Sequence, residues 1–237
     1  MAEKKEKKIV KAETTVTADG KKVQQAKPVG NSKALRFGAI ALWVVALVFE
    51  ILAILVVVGK INLKFMPTLW QLICLLALDF ILVIIGSQLW KKANHISPMS
   101  EKNKFLFWLW NNMGVIAAII CFAPIIIIML TNKDLDKKTK VIATVVAVIM
   151  VLIAGLASYD FNPVSKEDQQ AAINELGDQM VYWAPFGKVY HTHTDCGALN
   201  QTDTLTEGTV EQAIAANRTR ICSFCAHKDA ITDLPTD

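Results

Sequence analysis

The sequence predicts an all-α four-helix transmembrane bundle followed by a small α+β domain. Two observations predict the bundle: 53% of the 237 residues are hydrophobic, and they are concentrated in four long apolar runs. Residues 38–59, for example, contain no Lys or Arg. The third observation is that three of the five cysteines lie in the polar C-terminal segment, which predicts a separate small domain. An ordinary soluble domain is less apolar than this chain.

Residues 1–36 precede the first apolar run. The stretch 1–37 carries ten Lys or Arg and four Asp or Glu, net +6. Because it has too little apolar surface to offset the entropy of ordering, we expect a disordered basic tail. It is unlike a signal peptide, since the polar lead is too long and no small-residue cleavage site follows the first apolar run.

The four apolar runs predict the helices of a membrane domain at 37–160. A helix needs about 20 apolar residues to cross the roughly 30 Å of hydrocarbon in a bilayer. The predicted spans are about 38–59, 66–90, 105–130 and 141–159. Tryptophans such as Trp70, Trp90 and Trp108 lie near the span ends, as is typical of membrane interfaces. Buried helices of a soluble bundle are the alternative, but these runs have no polar face to present to water.

Lys and Arg are distributed unevenly between the predicted loops. With the N-terminus inside, segments 1–37 and 91–104 carry fourteen basic residues, whereas loops 60–65 and 131–140 carry six. The excess predicts cytoplasmic N- and C-termini. We expect the membrane to be a bacterial plasma membrane. The four lysines of loop 131–140 oppose this bias, and two aspartates partly balance them.

Two acidic residues, Glu50 and Asp79, lie near the middle of the first two predicted spans. They are 12 and 11 residues from the inner span ends, which places both about 16–18 Å deep. No Lys, Arg or His lies in any span, and a carboxylate in hydrocarbon takes up a proton rather than stay charged. The pair predicts an intramembrane proton or ion site. Alternatively, each acid hydrogen-bonds a neighbouring helix, with Ser87, Asn111 or Asn112 as the partner.

The chain after the last span divides into a linker helix at 161–179, a small domain at 180–230 and a tail at 231–237. Ser165 is suited to begin the linker helix and Gly177 to end it. Two β-prone runs, 181–183 and 188–191, flank a Pro…Gly turn and predict a hairpin.

A second short helix is predicted at a capping box formed by Thr209 and Gln212, and Asn217 suits its left-handed end. A domain of this size has too little core to be stable without a metal or disulfide. The sequence therefore has to supply such a cross-link.

One histidine and three cysteines are the predicted metal ligands: His191, Cys196, Cys222 and Cys225. A Cys-x-x-Cys pair can direct both sulfurs at one ion, and a Cys3His set is typical of closed, structural zinc sites. His193 and His227 are rival nitrogen ligands. The alternatives are a redox pair at the Cys-x-x-Cys motif, a structural disulfide, and a catalytic zinc with Asp195 as its acid.

The segment from Val181 through Gly187–His191 to Cys196 and Leu199, with the later Cys-x-x-Cys pair, resembles a small bacterial zinc-ribbon module. It is similar to the metal-binding fold of Ada-type DNA-repair proteins over about 45 residues. The resemblance implies a β-hairpin metal module. It does not carry over methyl-transfer chemistry to Cys196, because Ada-type modules use four cysteines and a histidine takes one place here.

These features lead us to expect a binding, scaffolding or sensing role, in which an aromatic hairpin face (Trp183, Phe186 and Tyr190) meets an unknown protein partner. The alternative is a small proton- or cation-coupled transporter or channel subunit using Glu50 and Asp79. Residues 161–237 have net charge −6, which disfavours nucleic acid as a partner. The basic tail is suited to anionic lipid headgroups. No nucleophile–base pair or phosphate loop indicates an enzyme.

Overall fold

The computed structural model describes residues 7–12, 31–62 and 64–236. The chain divides into two compact units. The helical unit is built from Ser32–Asn94 and Asn103–Pro163, and the mixed unit from Met1–Asn31, His95–Lys102 and Val164–Asp237. Segments far apart in sequence therefore share one unit.

The helical unit contains four helices that are long and apolar enough to cross a membrane. They are α1 (Ser32–Val57), α2 (Thr68–Ile96), α4 (Met113–Thr131) and α5 (Lys137–Ser158). Their length and composition indicate membrane association. Within the unit, α4 packs chiefly against α5 and α1.

The third predicted run, 105–130, is interrupted in the structure. A short helix α3 (Lys104–Asn111) precedes α4, and Asn112 separates them with a non-helical φ of −107°. The asparagine side chains account for the break, since Asn111 and Asn112 donate to the carbonyl oxygens of Phe107 and Trp108 at 3.0 and 2.9 Å. Such local side-chain bonds compete with a continuous helix.

Two glycines allow close packing in the helical unit. A Cβ on Gly86 of α2 would lie 2.6 Å from Nε1 of Trp43 in α1, and one on Gly114 of α4 would lie 2.5 Å from Oγ of Ser87. Small residues at such positions let helix backbones approach one another. Trp43, Trp90 and Trp110 stack nearby, with ring centroids 5.5 and 5.1 Å apart.

The mixed unit contains a three-stranded sheet of order β1–β4–β2. Its strands are β1 (Lys8–Lys11), β2 (Val181–Trp183) and β4 (Thr204–Gly208). β1 pairs with β4 in parallel and β2 pairs with it antiparallel. A second, two-stranded sheet pairs β3 (Val189–Tyr190) in parallel with β5 (Arg220–Ile221).

The strand β1 differs from the expected disordered tail. Residues 8–11 place two apolar side chains between two lysines, a pattern too short to predict a strand alone, but β4 supplies a partner edge. Helix α1 also begins within the predicted tail, at Ser32. Residues 1–6 and 13–30 of that tail lie outside the described residues.

The described residues of the mixed unit also form three short helices: α6 (Lys166–Leu176), α7 (Val210–Ala215) and α8 (Ser223–Lys228). The predicted caps are confirmed. Ser165 and Thr209 each form a capping box with the third helical residue, and Gly177 ends α6. Asn217 has the expected positive φ, 63°. The predicted hairpin also forms, because Tyr182 and His191 exchange two backbone hydrogen bonds of 2.7 Å.

Candidate metal centre

The first two candidate ligands follow strand β3. His191 continues directly from β3, and its backbone hydrogen bonds to Tyr182 fix its direction. Cys196 precedes a 3₁₀ turn, Gly197–Leu199, whose Leu199 amide donates to the Cys196 carbonyl at 2.9 Å. Leu199 is buried in the core of the mixed unit, so the turn holds Cys196 against the same core.

The other two ligands follow strand β5. Cys222 comes directly after β5 and caps α8, and Cys225 lies in the first turn of that helix. The amide of Cys222 donates to the carbonyl of Tyr190 at 2.9 Å. Because β3 and β5 pair in parallel, the chain leaves both strands at the same edge, and this brings the two ligand pairs together.

The four ligand atoms of His191, Cys196, Cys222 and Cys225 all lie within 4.8 Å of one another, and all four residues are buried. The sulfurs of Cys196 and Cys222 are 3.8 Å apart, and the Cys225 sulfur is 3.8 Å from Nδ1 of His191. A tetrahedral ion with metal–sulfur bonds of about 2.3 Å requires sulfur–sulfur edges of about 3.8 Å. This group can hold a metal ion.

The thiol environment favours a cation. Burial, together with the neighbouring thiols of Cys225 and Cys222, raises the pKa of Cys196 to about 12. A thiolate formed here without a cation would be poorly solvated and would face other sulfurs. A bound metal supplies the compensating charge and takes the thiolate form as its ligand.

Neither rival histidine joins the group. Nε2 of His193 lies 2.5 Å from Oδ1 of Asp229, whose other oxygen accepts a 2.5 Å bond from the Thr192 hydroxyl. His227 is exposed. The ring of His193 is therefore directed away from the sulfurs, and His191 is the nitrogen ligand that the structure provides.

All five cysteines lie in the described part of the chain, and none forms a disulfide. The basic residues near the cluster bind elsewhere. Arg218 donates to the carbonyl oxygen of Ala184 at 3.1 Å, and Lys228 pairs with Asp195 at 3.4 Å. Asp195, the acid considered for a catalytic zinc, therefore lies at the surface in an exposed ion pair, whereas the four candidate ligands are buried.

No protein-family model, no curated protein and no solved structure matches this chain. The Ada-type resemblance therefore leads to no family assignment. What the structure does show is a His/Cys cluster compatible with a metal-binding module.

The prediction of an exposed aromatic face is wrong for two of its three residues. Trp183 and Tyr190 are buried in the core of the mixed unit, whereas Phe186, in the hairpin turn, is 99% exposed. Sequence reasoning also missed Phe224, which is 69% exposed between the two cysteines of the Cys-x-x-Cys motif. That position carried a signal, because a residue between two inward-facing ligands points outward.

The second predicted site, Glu50 and Asp79, is buried inside the helical unit. Glu50 is 3% exposed and Asp79 is fully buried. None of the three suggested partners bonds to them in the structure. Ser87 donates to the Val83 carbonyl at 2.7 Å, and the side-chain amides of Asn111 and Asn112 donate to carbonyl oxygens of α3. The bonds expected from these three partners are therefore absent among the described residues, and Glu50 is instead bonded by the backbone of Ile125 in α4.

Proposed function

We propose that this chain is a multi-pass membrane protein whose mixed unit is held folded by a structural zinc ion and binds or scaffolds a protein partner at the membrane surface. One observation carries the proposal: four protein ligands, all buried, converge within 4.8 Å. A site completed by four protein side chains has no open position for substrate, which is the arrangement of structural rather than catalytic zinc.

The domain has need of such an ion. Among its described residues the largest elements are an eleven-residue helix and a five-residue strand, and a core this small gives limited stability. The ligands come from both halves of the domain, since His191 and Cys196 follow the hairpin and Cys222 and Cys225 open α8. One ion therefore cross-links the whole domain.

Membrane insertion is supported by the surfaces of the long helices. Large apolar side chains stay exposed on every one of them, for example Val44, Ile81, Ile127 and Leu152. Water would disfavour such surfaces, whereas lipid accommodates them. Together with the Lys/Arg distribution, this supports a bacterial plasma membrane protein with cytoplasmic termini. The reducing cytoplasm would keep the three ligand thiols available.

Phe186 supports a partner-binding role. It is fully exposed in the turn between β2 and β3, and Arg218 fixes that turn by donating to the carbonyl oxygens of Ala184 and Pro185. A rigidly presented aromatic ring is a common anchor of protein interfaces. We expect Phe186→Ser to lower recovery of partners cross-linked in intact membranes without changing the amount of folded protein.

Metal analysis of the purified full-length protein tests the zinc centre. We expect one zinc per chain in the wild type, and its loss in Cys222→Ser. Cys74→Ser is the matched control, since Cys74 lies exposed on α2. Absence of stoichiometric zinc from the wild type, or equal loss in both variants, would contradict the proposal.

A further inference from the structure

We propose that Glu50 and Asp79, with Cys121, form a proton-binding site inside the helical unit, in which the two carboxyl groups hold at least one proton at neutral pH. The site would serve a proton-coupled activity of the helices. This goes beyond the zinc-centre proposal and does not depend on it, because the two sites lie in different units.

Three helices bring the group together. Glu50 belongs to α1, Asp79 to α2 and Cys121 to α4, and all three side chains are buried. Asp79 lies close enough to interact electrostatically with Glu50, and Cys121 with both. The backbone of Ile125, one turn beyond Cys121, hydrogen-bonds the Glu50 carboxyl. The two acids therefore lie near one another inside the helical unit and are shielded from lipid.

Most of the carboxyl oxygens of Glu50 and Asp79 have no hydrogen-bond partner in the described part of the chain. Both carboxyl oxygens of Asp79 and Oε1 of Glu50 are fully buried without a hydrogen-bond partner among the described residues. Buried polar atoms are nearly always satisfied, and an orphaned carboxyl oxygen calls for a ligand. A proton shared between or held by the acids removes a charge and provides a hydrogen-bond donor.

No opposite charge lies at this depth in the part of the chain that the structure describes. The remaining charged or titratable residues of the packed helices lie toward the helix ends, except Cys74 in α2: Lys33 and Arg36 in α1, Lys91, Lys92 and His95 in α2, and Lys137, Lys138 and Lys140 in α5. Helix α4 contains only Cys121. A buried carboxylate pair without a cation is strongly disfavoured, so an uptake of protons is the simplest compensation.

The geometry favours a proton over a metal ion. Among the described residues, the ligand atoms compact enough to hold a metal ion are those of His191 and its three cysteines, which lie within 4.8 Å of one another. Glu50, Asp79 and Cys121 do not form so compact a set. A dehydrated hard cation needs about six oxygen ligands, and two carboxyl groups do not supply them.

Labelling with a hydrophobic carbodiimide tests the site in the full-length protein reconstituted in lipid. The reagent takes the proton of a carboxylic acid, adds its oxygen at the central carbon, and rearranges to a stable N-acylurea, so it marks protonated carboxyls in apolar surroundings. We expect labelling at Glu50 or Asp79 by peptide mass analysis. Above the titration midpoint, labelling should fall about tenfold per pH unit.

Matched variants and a second measurement complete the test. Glu50→Gln with Asp79→Asn should abolish the label, whereas Glu175→Gln, at an exposed position of α6, should leave it unchanged. Because the double variant could misfold, infrared spectra of the wild type provide an independent reading: a protonated-carboxyl C=O band should be present at neutral pH and vanish in alkali. Absence of both label and band, or protection from labelling by Na⁺ or Ca²⁺ at constant pH, would overturn the proposal.

Discussion

At the scale of single residues, the three histidines that follow Val164 in the mixed unit provide the sharpest test of the metal centre. His191 lies in the cluster, His193 bonds to Asp229, and His227 is exposed. We therefore expect His191→Ala to lose stoichiometric zinc, because it removes one of four ligands. His193→Ala and His227→Ala should retain it. Zinc content of the three purified variants gives the answer, and retention by His191→Ala would exclude the proposed ligand set.

Glu167 gives the mixed unit a pH-dependent contact. Its carboxylate accepts bonds from the Ser100 hydroxyl at 2.5 Å and the Glu101 amide at 3.0 Å. These bonds hold the pKa of Glu167 below its ordinary value of 4.5. A lowered folded-state pKa means that the contact is fully present above pH 4.5 and is lost as the pH falls through the lower, folded-state value.

We expect the Glu101 amide to stay protected from hydrogen exchange at neutral pH and to lose protection in acid. Glu167→Gln should reduce that protection at neutral pH, because a neutral amide accepts these bonds less strongly than a carboxylate. Glu175→Gln is the control. Equal protection of Glu101 in wild type and Glu167→Gln would show that the contact does not order the loop.

The ligand residues could be predicted from sequence because sulfur and imidazole chemistry restricts what four such residues do together. The burial of Trp183 and Tyr190 could not be predicted in this way. Both lie on short strands, where only the partner strands decide which face is covered, and those partners come from distant segments. The choice between His191 and His193 likewise depended on Asp229, which follows the histidines by more than thirty residues.

At the scale of elements, the contact between α1 and α2 depends on Gly86. A Cβ at this position would meet Trp43 Nε1 at 2.6 Å and the Ala39 carbonyl oxygen at 3.2 Å. Gly86→Ala should therefore force the helices apart and lower the free energy of unfolding by about 1–3 kcal/mol. Gly155→Ala is the matched control, since nothing lies within 4 Å of its added Cβ. Denaturation of both variants in mixed micelles measures the difference, and equal stability would contradict the close packing.

The pairing of β1 with β4 can be tested by introducing a proline at one of two neighbouring positions in β1. The amides of Lys8 and Ala12 donate to the carbonyl oxygens of Asp203 and Glu207, so in a parallel ladder the amide of Val10 also faces β4. Val10→Pro should release β1 and expose the β4 amides to hydrogen exchange. Ile9→Pro should not, because its amide faces away from the ladder. Identical exchange in the two variants would exclude the pairing.

Among these elements, interactions between residues close in sequence could be predicted, whereas pairings between distant segments could not. Helix caps were predictable because Ser165 and Thr209 act on residues three positions away. β1 was not, because its partner β4 lies nearly two hundred residues later and the strand has only four residues. The break between α3 and α4 was not predicted, because the run 105–130 is apolar enough overall to be a single span. The two consecutive asparagines within it did indicate a break.

At the scale of the whole molecule, the segments that make up the mixed unit constrain which parts of the chain can lie on the same side of a membrane. It combines a segment before α1, the loop between α2 and α3, and the chain from Val164 onward. The loop contacts the C-terminal part through Met99, whose carbonyl accepts from Lys166 at 3.2 Å, and β1 joins it through β4. Parts of one folded unit must share one side of a membrane. Four crossings of a membrane by α1, α2, α4 and α5 would place these three segments together on one side.

This arrangement predicts a specific pattern of accessibility. Cysteines introduced as Ser100→Cys in the α2–α3 loop and Asp233→Cys near the C-terminus should react with an impermeant maleimide only in inverted membrane vesicles. Lys60→Cys, in the exposed loop after α1, should react only in right-side-out vesicles. The wild type, whose cysteines are buried or lie on α2, gives the background. The Lys/Arg bias predicts the inner side for the first two positions. Opposite labelling of Ser100→Cys and Asp233→Cys would show that the mixed unit cannot assemble as one body, whereas inversion of the whole pattern would retain the unit and reverse only its orientation.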